Sequence, residues 1–199
     1  MAPTSVPERP ISQIRLDGGR PCLDFVNSIH DRYATNLEDY LTTPQRFIAW
    51  CARARLLDRS EAKRLNVRAI PMRDIHKLRE QLYSVFTASI LGTAPAPAAL
   101  QGFERWLHRA WKDRVLDLSA PKCLSWSRRG IDMRLPLKRI ALSALELLGE
   151  GDIRRLKRCE SRDSCGWLFY DETKNHQRRW CAMEVCGTIA KMRRYRARR

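Results

Sequence analysis

The sequence predicts a mainly α fold in two parts. A mostly helical N-terminal domain over residues 12–150, with a small β-hairpin or three-stranded sheet, is followed over 152–199 by a small cysteine-bearing module that ends in a basic helix. Three observations carry this. Apolar residues recur at a period near 3.6 through most of 20–112, that period breaks after Asp113, and four of the seven cysteines fall between positions 159 and 186.

The elements follow in order. The opening MAPTSVPERPIS is rich in Pro and Ser and predicts a flexible leader over 1–11. Asp24 can cap a helix through 25–29. Thr43-Pro44 is a helix start, with Thr as N-cap, Pro at the first helical position, and Phe47, Ile48, Cys51 and Ala54 on one face. Ser60 can cap a short helix that ends before Pro71. Ile75, Leu78, Leu82, Val85 and Phe86 form a stripe over 72–91, and Leu100, Phe103, Leu107 and Trp111 form another over 97–112. The Gly92–Pro97 segment joins them as a loop.

Val115, Leu116 and Leu118, then Leu124 and Trp126, then Ile131 and Met133 read as short strands around Pro121 and an Arg128-Arg129-Gly130 turn. Helix returns at Pro136, with Leu137, Ile140, Ala141, Ala144 and Leu148 on one face, and Gly149 and Gly151 end it. Asp152 caps a turn into Cys159. The link between the two parts is very short, so they are expected to pack together.

No run of eighteen apolar residues is present, and the N-terminus lacks the basic-then-apolar pattern of a secretory signal. A cytoplasmic protein without a membrane partner is therefore expected. The net charge is +16. Residues 152–199 hold fourteen Lys/Arg against six Asp/Glu, and residues 1–151 hold 24 against 16, so the last quarter of the chain carries half the excess. Residues 191–199 hold six basic residues and no acidic one. Such asymmetry points to a polyanion, most often nucleic acid.

Cys22, Cys51 and Cys123 lie among apolar residues and read as small buried hydrophobes. The other four are spaced Cys159-x5-Cys165-x15-Cys181-x4-Cys186. Two close pairs separated by a loop long enough to fold back is the general form of a tetrahedral structural zinc site. Disulfides, unrelated thiols or an iron–sulfur cluster are the rival readings. Reducing conditions disfavour the first, and the spacing is unlike a ferredoxin run. His176 could replace one thiolate, or be an ordinary surface residue. Arg158, Arg178 and Arg179 could offset the −2 charge of four thiolates around Zn²⁺. Trp167, Phe169, Tyr170 and Trp180 read as packing around the metal and against the N-terminal domain, with Trp180 the candidate for base stacking.

After Cys186 the chain predicts a helix whose Val185, Ile189 and Met192 face the metal core while Lys191, Arg194 and Arg198 face outward. Arg178, Arg179, Lys191, Arg193, Arg194, Arg196 and Arg198 are the candidate nucleic-acid contacts. Cations near a helix C-terminus also satisfy its dipole. Asp24 and Asn27, three apart, could line a ligand pocket, or could cap a helix and bind backbone.

The stretch Cys165-Gly-Trp-Leu-Phe-Tyr-Asp171, Asn175-His-Gln-Arg-Arg-Trp-Cys181-Ala-Met183-Glu-Val-Cys186-Gly187 and Lys191 resembles the CGNR zinc finger. Gly18-Gly19-Arg-Pro-Cys-Leu23-Asp24-Phe25-Val26-Asn27-Ser28 is similar to the opening of the ABATE-type domain that precedes this finger in proteins called stress-induced transcription regulators. The resemblance covers nearly the whole chain. It implies one zinc ion on Cys159, Cys165, Cys181 and Cys186. Where that family has Asn-Arg after Cys-Gly, this chain has Thr188-Ile189, which leaves zinc ligation untouched but removes whatever that pair contacts.

The reading is a DNA-binding transcription regulator whose N-terminal domain senses a small-molecule effector or mediates association, for instance as a homodimer. The alternative is a small-molecule or protein-interaction module with purely structural zinc and no nucleic-acid binding. An enzyme is not expected. The sequence carries no P-loop, dinucleotide fingerprint, HExxH or nucleophile elbow, and four thiolates leave zinc no open position.

Overall fold

The computed structural model describes residues 9–33, 37–65, 69–116, 118, 124–127, 132–161 and 165–198. In chain order these form α1 (Pro21–Val26), β1 (Ile29–His30), β2 (Glu38–Asp39), α2 (Pro44–Arg53), α3 (Arg59–Arg64), α4 (Met72–Leu91), α5 (Pro97–Lys112), β3 (Arg114–Leu116), β4 (Leu124–Trp126), α6 (Leu135–Glu150), β5 (Leu156–Arg158), β6 (Leu168–Tyr170) and α7 (Thr188–Arg196). The fold is mainly α. Among the described residues the strands pair as three short antiparallel ribbons, β1–β2, β3–β4 and β5–β6.

Helix starts follow side-chain chemistry. Thr43 accepts a hydrogen bond from the Arg46 N–H at 3.2 Å, and Pro44 begins α2 as expected. For α3 the cap is Asp58 rather than Ser60. Asp58 accepts from the Ser60 and Glu61 N–H groups, and Glu61 accepts in return from the Asp58 N–H, a reciprocal capping box. Helix α1 begins at Pro21, four residues before the expected 25–29 helix, because Pro21 pre-sets the first helical φ. Gly92, at φ +64°, takes the left-handed turn that ends α4.

The core gathers α1, α2, α4, α5 and α6, with Phe25 in ring contact with Phe47 (6.4 Å) and Trp50 (5.9 Å). The α4 stripe Ile75, Leu78, Leu82, Val85 and Phe86 is buried as the period predicts. The α5 stripe is buried only in part: Phe103 is in the core and Leu107 packs against it. Trp111 is 64 % exposed and Leu100 38 %, while Ala99, Gly102, Phe103, Trp106 and Ala110 face inward. One cause is close approach to α4 at Gly102, where a Cβ would lie 1.8 Å from the Gln81 amide, so the inward face mixes small residues with Phe103 and Trp106. Helix α6 buries Leu137, Ile140, Ala141 and Ala144, continues through Gly149, and ends before Gly151.

The expected sheet after Asp113 is the β3–β4 ribbon, with Arg114 opposite Trp126. Cys123, Ile131, Pro121 and the Arg128-Arg129-Gly130 turn lie outside the described residues. Cys22 and Cys51 are fully buried, and burial pushes both thiols up, Cys22 to about 12. Residues 9–11 of the expected leader are engaged with the fold: Arg46 donates to the Arg9 carbonyl at 2.7 Å, and Ile11 begins a 3₁₀ turn.

The C-terminal segment is sewn into the helical part. Asn27 donates from its side-chain amide to the Leu168 carbonyl (2.7 Å) and accepts from the Leu168 N–H (2.8 Å). The Trp167 indole donates to the Ile29 carbonyl (2.8 Å), the Tyr83 hydroxyl to the Gly166 carbonyl (2.9 Å), and the Tyr170 N–H to the Gly18 carbonyl (2.8 Å). Strand β6 is therefore a core strand of the whole chain, buried at Leu168, Phe169 and Tyr170.

Candidate metal centre and basic face

The β5–β6 ribbon builds half of the site. Cys159 follows β5, and its N–H donates to the Trp167 carbonyl at 2.8 Å, so the chain turns back and delivers Cys165 just before β6. The loop from Asp171 folds across and returns Cys181. A π-helical turn over Met183–Gly187 then presents Cys186. All four sulfurs lie within 4.8 Å of one another and are buried. Cys181 Sγ is 3.6 Å from both Cys165 and Cys186 Sγ. A disulfide needs ~2.05 Å, whereas the edge of a tetrahedron with Zn–S of ~2.3 Å is ~3.8 Å, so these sulfurs are set for one ion and not for bridges. His176 is exposed and stands apart from the cluster.

The returning loop is held by Asp171, whose side chain is fully buried. It accepts from Lys157 Nζ (2.7 Å), the Thr173 N–H (3.0 Å) and hydroxyl (2.6 Å), and the Arg178 N–H (2.9 Å). Burial alone would raise this carboxyl; the Lys157 ammonium and the Thr173 and Arg178 donors outweigh it and hold the group well below the usual carboxylate range.

The candidate arginines divide. Arg178 turns inward: its guanidinium lies 4.4 Å from the Phe169 ring centroid and donates to the carbonyls of Trp180 (2.9 Å), Asp17 (3.1 Å) and Cys181. It fastens the ligand loop to the N-terminal segment. Arg179 turns outward and pairs with Glu160. Lys191, Arg194 and Arg198 line one shallow groove with Tyr195, while Arg193 and Arg194 line another with Arg179. Arg196 is exposed.

Val185, Ile189 and Met192 do not pack on the metal core as the spacing predicts; they are 40, 42 and 49 % exposed. The π-turn supplies the reason. Its wider winding rotates the apolar face away from the ligands before α7 begins, so an α period carried back through Cys186 misplaces it. Thr188, at the first position of the departing pair, donates from its hydroxyl to the Met183 carbonyl at 3.3 Å.

Asp24 and Asn27 point to different partners. Asn27 is committed to Leu168, as above. Asp24 accepts from the Gly18 N–H at 2.8 Å. Burial, with some help from Asp17, pushes its carboxyl up to about 7 against the opposing Gly18 hydrogen bond and Arg53. A raised folded value means the native state holds this proton more tightly than the unfolded chain. Stability contributed here is thus present at low pH and is lost between about pH 4 and 7. Asp24→Asn keeps the acceptor for Gly18 and removes the desolvated charge. Relative to wild type it should gain stability that grows from about pH 4 to a ceiling of roughly 4 kcal/mol above pH 7, with about a third of that gain present near pH 5. Thermal melts of both proteins at pH 5, 7 and 8.5 check this; an Asn gain that is the same at every pH would contradict it.

The family model described as "Putative stress-induced transcription regulator", ABATE, matches residues 19–151. The chain belongs to the ABATE family. The CGNR zinc finger model matches residues 155–199. No curated relative matches the chain. The ABATE region supplies Asn27, Ile29 and Tyr83, with Gly18 just before it, as the seat for the finger. The CGNR region holds one structural zinc ion among its four cysteines. Both families are regulator and zinc-finger types, not enzyme types.

Sequence reasoning missed Asp171, Lys157 and Glu160. The signal for the first was Asp171-x-Thr173, the spacing at which a carboxylate accepts from the N–H and hydroxyl two residues on. It missed also why Cys165 is followed by glycine. Gly166 sits at φ +65°, and a Cβ there would lie 2.8 Å from the Tyr33 ring. Gly166→Ala should therefore cost about 1–3 kcal/mol through left-handed strain and this ABATE–finger contact. Chemical denaturation of the zinc-loaded protein measures it, and a loss under about 0.5 kcal/mol, within the error of such curves, would mean the ring moves aside.

Proposed function

We propose that this ABATE-family chain is a cytoplasmic DNA-binding transcription regulator, with an N-terminal domain (12–150) that senses a small-molecule effector or mediates homodimer association and a finger module (152–199) that contacts DNA. The observation that carries the reading is the basic face of α7. Six Lys/Arg and no acidic residue fall in 191–199, no residue of α7 is buried, and Lys191, Arg194 and Arg198 share one groove with Tyr195. A rigid zinc site sets the direction in which α7 leaves the fold, which suits a helix that tracks a phosphate backbone. Zinc supplies folding here and no reaction, so no catalytic role is proposed.

The test is binding of zinc-loaded protein to random duplex DNA across a salt series. Wild type should bind with a steep log–log slope. The Lys191→Ala, Arg194→Ala, Arg198→Ala triple variant should lose about 2.7 from that slope, at about 0.9 per phosphate contact. Absence of binding at low salt would sink the reading. The exposed Val185, Ile189 and Met192 would then favour a protein partner, with zinc purely structural.

A further inference from the structure

Arg178 and Arg179 are neighbours with opposite fates. Arg178 is consumed by the backbone carbonyls of Trp180 and Cys181 in the finger and of Asp17 in the N-terminal segment. Arg179 is fixed on the outside by three constraints. Its carbonyl accepts from the Glu160 N–H at 3.0 Å, which locks the two residues side by side. Its Nε and Nη2 both donate to Glu160 Oε2, at 2.7 and 2.5 Å. Its guanidinium centre lies 5.3 Å from the Trp180 ring centroid. The side chain nonetheless remains 57 % exposed and Glu160 41 %.

An exposed ion pair of this kind adds little to stability, so stability does not account for the arrangement. Its chemistry does suggest a use. Glu160 occupies the Nε/Nη2 edge and leaves the Nη1/Nη2 end of the fork directed away from it. That end carries two parallel N–H donors that can bond bidentately to the O6 and N7 of guanine in the major groove. Glu160 also offsets the charge of Arg179, which makes it a poorer phosphate ligand than the arginines of α7 while keeping its hydrogen-bond geometry. A groove of about 310 Å³ brings the pair and Trp180 together with Arg193 and Arg194 of α7, so a base-directed fork and phosphate-directed cations share one surface.

We infer that Arg179, braced by Glu160 and backed by Trp180, is a specificity-determining residue that reads guanine in duplex DNA. The inference rests on the duplex-binding reading above and adds the base that is recognised.

The experiment is selection from a random 20-base-pair duplex pool by the zinc-loaded full chain, its R179K variant and its E160Q variant, each first checked for zinc content. Wild type should enrich duplexes that share at least one fixed guanine. Replacing that guanine by 7-deazaguanine, which lacks the N7 acceptor, should weaken binding about 5- to 100-fold. R179K keeps the charge but not the fork; it should retain the salt slope and lose the guanine. E160Q should relax the preference without weakening overall duplex affinity, because it frees Arg179 and removes a negative charge. A guanine that stays fixed in the R179K selection overturns the inference, as does wild-type binding with no guanine enriched; in both, duplex binding itself survives. A pool that wild type does not retain at all overturns the underlying reading and this inference with it.

Discussion

Removing zinc, by a chelator under reducing conditions or by Cys181→Ser, is expected to unfold the finger and to lower the melting temperature of the whole chain by roughly 10 °C or more. The argument is one of magnitude. Structural zinc contributes an apparent ~10–16 kcal/mol, comparable to the ~5–15 kcal/mol that holds an entire domain. Cys181 and Cys186 are brought to Cys165 by a long loop and a π-turn; Asp171 and Arg178 brace the loop, but it is the metal that ties the four sulfurs together. Without zinc, α7 leaves the fold entirely, since none of its residues is buried. The effect reaches further than the finger because β6 lies in the common core, bonded to Asn27, Ile29 and Gly18. Hydrogen exchange separates the two levels. In metal-free protein, amides of α7 and the 171–187 loop should exchange freely, while Leu168, still paired with Asn27, should lose only part of its protection. A metal-free variant that melts where the zinc-loaded protein melts would contradict this account.

What the sequence could reveal divides along a physical line. Metal ligation needs a particular residue type at a particular place, so Cys159, Cys165, Cys181 and Cys186 are legible from spacing and resemblance. The α4 stripe is legible because large apolar residues face a wide core. The α5 face is legible only at Phe103, because its other buried residues include Ala99, Gly102 and Ala110, and small residues carry no strong periodic signal. The direction of α7 was hidden by one π-turn, which no hydrophobic period records. The strands β1, β2, β5 and β6 are two or three residues long, too short for an alternation to be read. Arg178 and Arg179 look alike in sequence; only the fold separates the one that holds a loop from the one that faces out.

Asp171→Ala is expected to cost about 3–5 kcal/mol and to weaken zinc binding about 10- to 100-fold, although the residue touches no ligand sulfur. The carboxylate accepts at once from Lys157, from both donors of Thr173 and from the Arg178 N–H, and it has no exposed surface. Deleting it leaves four part-buried donors without this partner, the expensive direction of change. Lys157 can partly recover, since it also donates to the His176 and Arg178 carbonyls, which places the cost toward the lower end of the range. The metal feels the change because the Arg178 N–H bond fixes the point at which the loop turns toward Cys181. Asp171→Asn should also destabilise, because its amide would oppose donors from Lys157 and Arg178 with a further donor. Since the folded carboxyl is held below its ordinary value, its contribution is present above about pH 4 and falls away as acid protonates it. Competition with a chromophoric chelator at pH 7 reads the zinc effect, and denaturant curves read the stability. If Asp171→Ala lost stability while holding zinc as tightly as wild type, the carboxylate would brace the loop without setting the position of Cys181.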